Sequence, residues 1–139
     1  MQTLSPIPTS SSEPARSCEA VQGRITGLSL PVLEGDALVG FRVEGAEVSG
    51  DLSATSSADL SISRSDPDGT LHLTGSHVFY GDGGAVLYRT EDVGLTTADG
   101  RVENRMTLVE GGTGTIQTEG TVDLATGALS LTYSGEVCD

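Results

Sequence analysis

From Ser17 onward, apolar and polar residues alternate with a period of two, the signature of half-buried β-strands rather than helices. Val21, Gly23 and Ile25 share one face, with Gln22, Arg24 and Thr26 on the other; Pro31 is expected to end this first strand. The Glu34-Gly35-Asp36 turn leads into Leu38 to Gly45, with Phe41 and Val43 on one side, and Val48, Leu52 and Ala54 continue. Ala58, Leu60 and Ile62 follow, up to Asp66-Pro67-Asp68-Gly69, a turn in which Pro presets one dihedral and Gly supplies positive φ. Leu71, Leu73, His77 and Phe79 share the next face, and Gly81 to Gly84 turns the chain back into Val86, Tyr88 and Thr90. Asp99-Gly100 is a hairpin signal, after which Val102, Asn104, Met106 and Leu108 oppose Arg101, Glu103, Arg105 and Thr107. Beyond Gly111-Gly112 come Ile116 and Thr118, Val122 and Leu124, the Thr126-Gly127 turn, and Leu129, Leu131, Tyr133 and Val137.

No segment has a helical period. About eight strands with regularly spaced turns predict an all-β domain, either an eight-stranded antiparallel barrel or a two-sheet sandwich. The barrel is preferred, because no strand looks edge-like and closure removes edges. Residues 1–16 form a different unit: positions 2–16 hold four Ser, three Pro and two Thr, which predicts a flexible N-terminal arm or lid. Leu4 and Ile7 are its apolar side chains, placed to fold over a barrel mouth. The barrel domain is assigned to 17–139.

The chain of 139 residues suffices for one core. Its 19 Gly suit many tight turns. The net charge of -13 comes from 20 acidic and 7 basic residues, all of them Arg, and such a surface repels phosphate backbones and anionic membranes. No nucleic-acid or membrane partner is therefore expected. No apolar run reaches the length of a spanning helix. The N-terminus lacks a basic region followed by an apolar core, so a cytoplasmic protein is expected, or a secreted one if Met1 replaces a removed signal peptide.

Cys18 and Cys138 stand near opposite ends of the chain. They are either buried thiols or a disulfide joining the first and last strands; a bridge across about 120 residues is worth roughly 4 to 5 kcal/mol in the chain-entropy model. Pairing would favour an oxidising compartment. Two Cys and two His without ligand spacing predict no metal site.

The segment Gly111-Gly112-Thr113-Gly114, then Gly120 to Gly127, then Tyr133-Ser134-Gly135-Glu136-Val137-Cys138 resembles the closing hairpin of the allene oxide cyclase-like barrel superfamily. The match covers about 28 residues; in place of the family's insertion after the first turn the chain has Thr115 to Glu119. The resemblance implies a cup-shaped barrel with an apolar lumen and no cofactor. Relatives of that kind include allene oxide cyclases, dirigent proteins and small bacterial cyclases of polyketide biosynthesis, among them Diels-Alderases. The absence of Lys, with Ala, Gly, Asp, Val and Arg favoured, hints at a GC-rich bacterial genome and suits the last group.

A pericyclic cyclase needs apolar walls that fold a linear substrate and one or two donors that polarise a carbonyl. Strand parity supplies candidates for both. Tyr88, Tyr133, Asn104 and His77 are the candidate catalytic donors; Phe79, Met106, Leu73, Val102, Leu131 and Phe41 are candidate substrate walls. Each also has a packing role as its alternative reading, and Asn104, an amide on an apolar face, fits packing least well. Tyr80 and His72 fall on the opposite parity. A Ser-His-Asp set has no Gly-x-Ser-x-Gly elbow to carry it, and Glu91-Asp92 reads as solvated charge. The expected function is a cofactor-independent cyclase acting on a linear polyketide-like substrate. The alternatives are a non-enzymatic secreted or periplasmic barrel holding a small apolar ligand, and a structural module with a filled barrel. The expected partner is a small apolar molecule, with a homodimer left open.

Overall fold

The computed structural model describes residues 17–139. The arm at 1–16, with the lid expected of Leu4 and Ile7, lies outside the described residues. The eight strands are β1 (Cys18–Glu34), β2 (Ala37–Gly50), β3 (Ala54–Ser65), β4 (Leu71–Tyr80), β5 (Val86–Thr96), β6 (Arg101–Glu110), β7 (Thr113–Val122) and β8 (Ala128–Cys138). Each pairs antiparallel with its neighbours in sequence, and β8 returns to β1, so the sheet is a closed up-and-down barrel. The sandwich alternative is thereby excluded. A short 3₁₀ turn, Asp82–Gly84, joins β4 to β5. Among the described residues no helix is long and apolar enough to cross a membrane.

The period of two in the sequence maps onto inside and outside. Val21, Ile25, Val48, Phe79, Met106 and Ile116 are buried in the lumen, while the charged residues between them, Asp92 excepted, face out. In a barrel of this strand number, inward side chains just fill the interior or leave space for one small ligand.

Two departures from the simple alternation matter. Phe41 and Val43 point inward, but so do Ala46 and Val48, which is a change of parity within β2. The register of β2 slips against β3 between Val43 and Ala46 and against β1 between Val43 and Glu47, and Gly45 sits at φ 64. One extra residue bulges there, and glycine tolerates the left-handed backbone the bulge requires. The second departure corrects the expected strand end at Pro31. β1 continues through Pro31 to Glu34, with Pro31 opposite Phe41 of β2. Pairing to β8 has already ended: its last register pair is Leu28 with Ala128, followed by one bond from Ser29 N–H to the Gly127 carbonyl. At Pro31 the β8 side of the strand is an edge that asks for no donor, so proline fits.

Cys18 and Cys138 lie directly opposite each other on β1 and β8 and form a disulfide, which resolves the open pairing. The bridge closes the seam of the barrel at one end. The cavity described next lies at the other end, where the β1–β2, β3–β4, β5–β6 and β7–β8 turns gather.

Candidate functional site

The lumen is packed at the disulfide end and open at the other. At the open end lies a cavity of about 50 Å³. Of the residues expected from the sequence, it brings together Phe41, Leu73, Val102 and Leu131 on its walls with His77 and Asn104 below them. Leu60 and Leu129 are half-buried at the rim, and Thr96 completes the lining on β5. Tyr88, Tyr133, Phe79 and Met106 are not among its lining residues.

Those four do other work. Phe79 and Met106 are fully buried core residues, and Tyr88 meets Phe79 edge to face at 6.3 Å. The hydroxyl of Tyr133 donates to the Ser49 carbonyl at 2.7 Å and accepts from the Leu52 N–H at 2.9 Å. It thus ties the β2–β3 turn to β8. Burial pushes this phenol above its ordinary range, with the Leu52 N–H pulling the other way. The ring fits because position 23 is glycine: a Cβ there would come within 2.5 Å of the Tyr133 hydroxyl oxygen. His72 and Tyr80 are half-buried and absent from the cavity lining, as their parity required; His72 Nε2 sits 2.8 Å from Asp66 Oδ2 on the barrel exterior.

Beneath the cavity the structure holds a polar cluster the sequence reading did not assemble. Asp92, read there as solvated charge, is buried with its side chain fully enclosed. The correction follows from parity: Tyr88, Thr90, Asp92, Gly94 and Thr96 alternate along β5, so Asp92 had to face inward once Thr90 did. Three donors surround its carboxylate. Thr90 Oγ1–H reaches Oδ1 at 2.6 Å, Asn104 Nδ2–H reaches Oδ2 at 3.0 Å, and His77 Nδ1 lies 3.4 Å from Oδ2. A carboxylate only accepts, so the His77 proton belongs on Nδ1 and its Nε2 accepts from Ser56 Oγ–H at 3.1 Å. His77 also stacks on Phe79 at 5.0 Å.

Ser56, His77 and Asp92 therefore form the hydroxyl–imidazole–carboxylate chain that nucleophilic hydrolysis uses. One requirement is unmet. Ser56 is completely buried and does not line the cavity, so its oxygen faces no space where an acyl group could sit. The chain satisfies buried polar groups and fixes their orientations. The one titratable cluster with metal-ligand spacing among the described residues is Cys18, Glu136 and Cys138, and both of its sulfurs are in the disulfide.

Compared with known proteins, the chain matches no family model, no curated protein and no solved structure at a significant level.

Proposed function

We propose that this protein is a secreted or periplasmic β-barrel that binds a small apolar ligand in the open end of its lumen. The cavity carries the reading: an apolar wall of Phe41, Leu73, Val102 and Leu131 over a floor of His77 and Asn104 is the composition of a small-molecule site. The Cys18–Cys138 disulfide supports the compartment, because such bridges persist where the surroundings are oxidising.

The resemblance to allene oxide cyclase-like barrels implies a second reading, in which the same wall folds a linear substrate for ring closure. An eight-stranded antiparallel barrel is compatible with that superfamily. Sites for molecules of polyketide size occupy about 300–1,000 Å³, whereas this cavity measures about 50 Å³. Size therefore favours a binder of small ligands over a polyketide cyclase. The test is an NMR titration of the oxidised full-length chain with short apolar compounds. Saturable shifts are expected at the methyl groups of Leu73, Val102 and Leu131, and none at Val21 or Leu108 near the disulfide end. Shifts that never saturate, or that appear equally at both ends, would refute the site.

A further inference from the structure

We infer that the cavity selects ligands with a neutral hydroxyl head, small aliphatic alcohols, and turns away carboxylates. The inference rests on the binding reading above and sharpens it.

Asp92 fixes the orientation of the cavity floor. Its carboxylate can only accept, and it takes a hydrogen bond from Asn104 Nδ2 at 3.0 Å. The amide of Asn104 is thereby locked. Turning it over would set its carbonyl oxygen against the carboxylate, and Thr90 and His77 hold that carboxylate in place. With one Nδ2 hydrogen held by Asp92, Oδ1 points to the side of Gly94, the residue paired with Asn104 across β5 and β6. A Cβ at position 94 would lie 2.7 Å from this oxygen, so glycine makes room for it. Gly94 and Asn104 both line the cavity. Among the described residues Oδ1 has no hydrogen-bond partner.

A second unpaired group lines the same cavity. Thr96 follows Gly94 by two residues and so faces the same way. It is only 5% exposed, it lines the cavity, and its hydroxyl has no partner among the described residues. Buried polar atoms are rarely left unpaired. His77 supplies nothing further, since Ser56 and Asp92 occupy both of its ring nitrogens.

The cavity therefore offers one fixed acceptor, Asn104 Oδ1, and donors beside it: the buried Thr96 hydroxyl, the half-buried Ser29 hydroxyl and the second Nδ2 hydrogen of Asn104. An alcohol meets both: its O–H donates to Asn104 Oδ1 and its oxygen accepts from Thr96 Oγ1. A ketone meets donors only and leaves Asn104 Oδ1 unpaired, and an alkane meets neither kind of group. A carboxylate would face the Asn104 oxygen with Asp92 behind it and no cation beside it, in a wall too apolar to solvate charge. A cavity of about 150 Å³ holds benzene; the space here, about 50 Å³, holds the head and first carbons. The rest of the ligand runs out past Leu60 and Leu129.

The experiment compares 1-pentanol, 2-pentanone, pentane and pentanoate by NMR titration of the oxidised full-length chain. We expect 1-pentanol to bind about fivefold tighter than 2-pentanone, by the worth of one hydrogen bond, and pentanoate to bind weakest. Thr96→Val removes an unpaired hydroxyl at nearly constant shape, so the variant folds. It should cut the ratio of pentanol to pentane affinity about fivefold. If pentane and 2-pentanone bind as tightly as the alcohol, or pentanoate binds best, the head-group inference is overturned while the binding site stands. If none of the four binds, both fall together.

Discussion

Replacing Tyr133 by Phe separates two roles for a residue that the sequence put forward as a catalytic donor. In the structure its hydroxyl makes two backbone hydrogen bonds, to the Ser49 carbonyl at 2.7 Å and from the Leu52 N–H at 2.9 Å. The ring is buried, so Phe fills the same space and opens no cavity. Each bond contributes about 1 kcal/mol net, giving a loss of about 2 kcal/mol. Ser49 is exposed, so water can take over its carbonyl; Leu52 is half-buried, so its N–H is the group more often left unpaired. For a chain of this length, 2 kcal/mol corresponds to a fall in Tm of about 7 °C. The assay is thermal unfolding by circular dichroism, with hydrogen exchange at the Leu52 amide as a local reading. Tyr88→Phe serves as the control: its hydroxyl has no partner among the described residues, so its Tm should move by less than about 1 °C. A Tyr133→Phe shift below about 2 °C, with Leu52 exchange unchanged, would refute the tie between β8 and the β2–β3 turn.

Three further outcomes are expected. Replacing both cysteines by serine removes a bridge between residues 120 apart and should cost about 5 kcal/mol in the chain-entropy model, read from urea unfolding; a loss under about 1 kcal/mol would argue that the bridge does not constrain the unfolded chain. Asp92→Asn introduces an amide donor among groups that only donate to this position, and should cost about 3 kcal/mol by the same assay; a neutral result would show that the cluster is not satisfied as described. The carboxyls of Asp66, Asp68 and Asp99 are held below their ordinary range, chiefly by hydrogen bonds from His72, Thr70 and Thr97 respectively. A depressed folded-state value gives stability that is present above the unfolded value and lost as pH falls, so it should fade below about pH 4. A variant with all three changed to Asn should show a flatter dependence of Tm on pH between about 2 and 4, and equal slopes would refute the assignment.

The strands themselves were legible. Alternation along Val102, Asn104, Met106 and Leu108 placed these residues on one inward face, and they are there. Asp66 to Gly69, Asp99-Gly100 and Thr126-Gly127 turn where glycine and aspartate indicated. Pro31 misled because a proline ends a strand only where its missing N–H is needed, and sequence does not show that β8 has already stopped pairing. The β2 bulge was invisible for the same kind of reason: Gly45 looks like any turn glycine until β1 and β3 fix the register on either side.

The candidate site was half legible. Parity marked Asn104, His77, Leu73 and Val102 as inward, and they meet at one cavity. It gave Tyr133 and Tyr88 the same standing, although depth along the barrel, rather than parity, decides who lines the open end. The period-two pattern of this sequence determined an all-β chain with one apolar face per strand, because inward and outward positions are local and follow from the alternating geometry of a strand. The pairing of Cys18 with Cys138, the lumen's closed and open ends, and the burial of Asp92 among Thr90, Asn104 and His77 were decided only by the tertiary structure. Asn104 and His77 lie 12 and 15 residues from Asp92 along the chain, and closure of the barrel, with its register, is what brings a carboxylate and its donors close enough to make burial affordable.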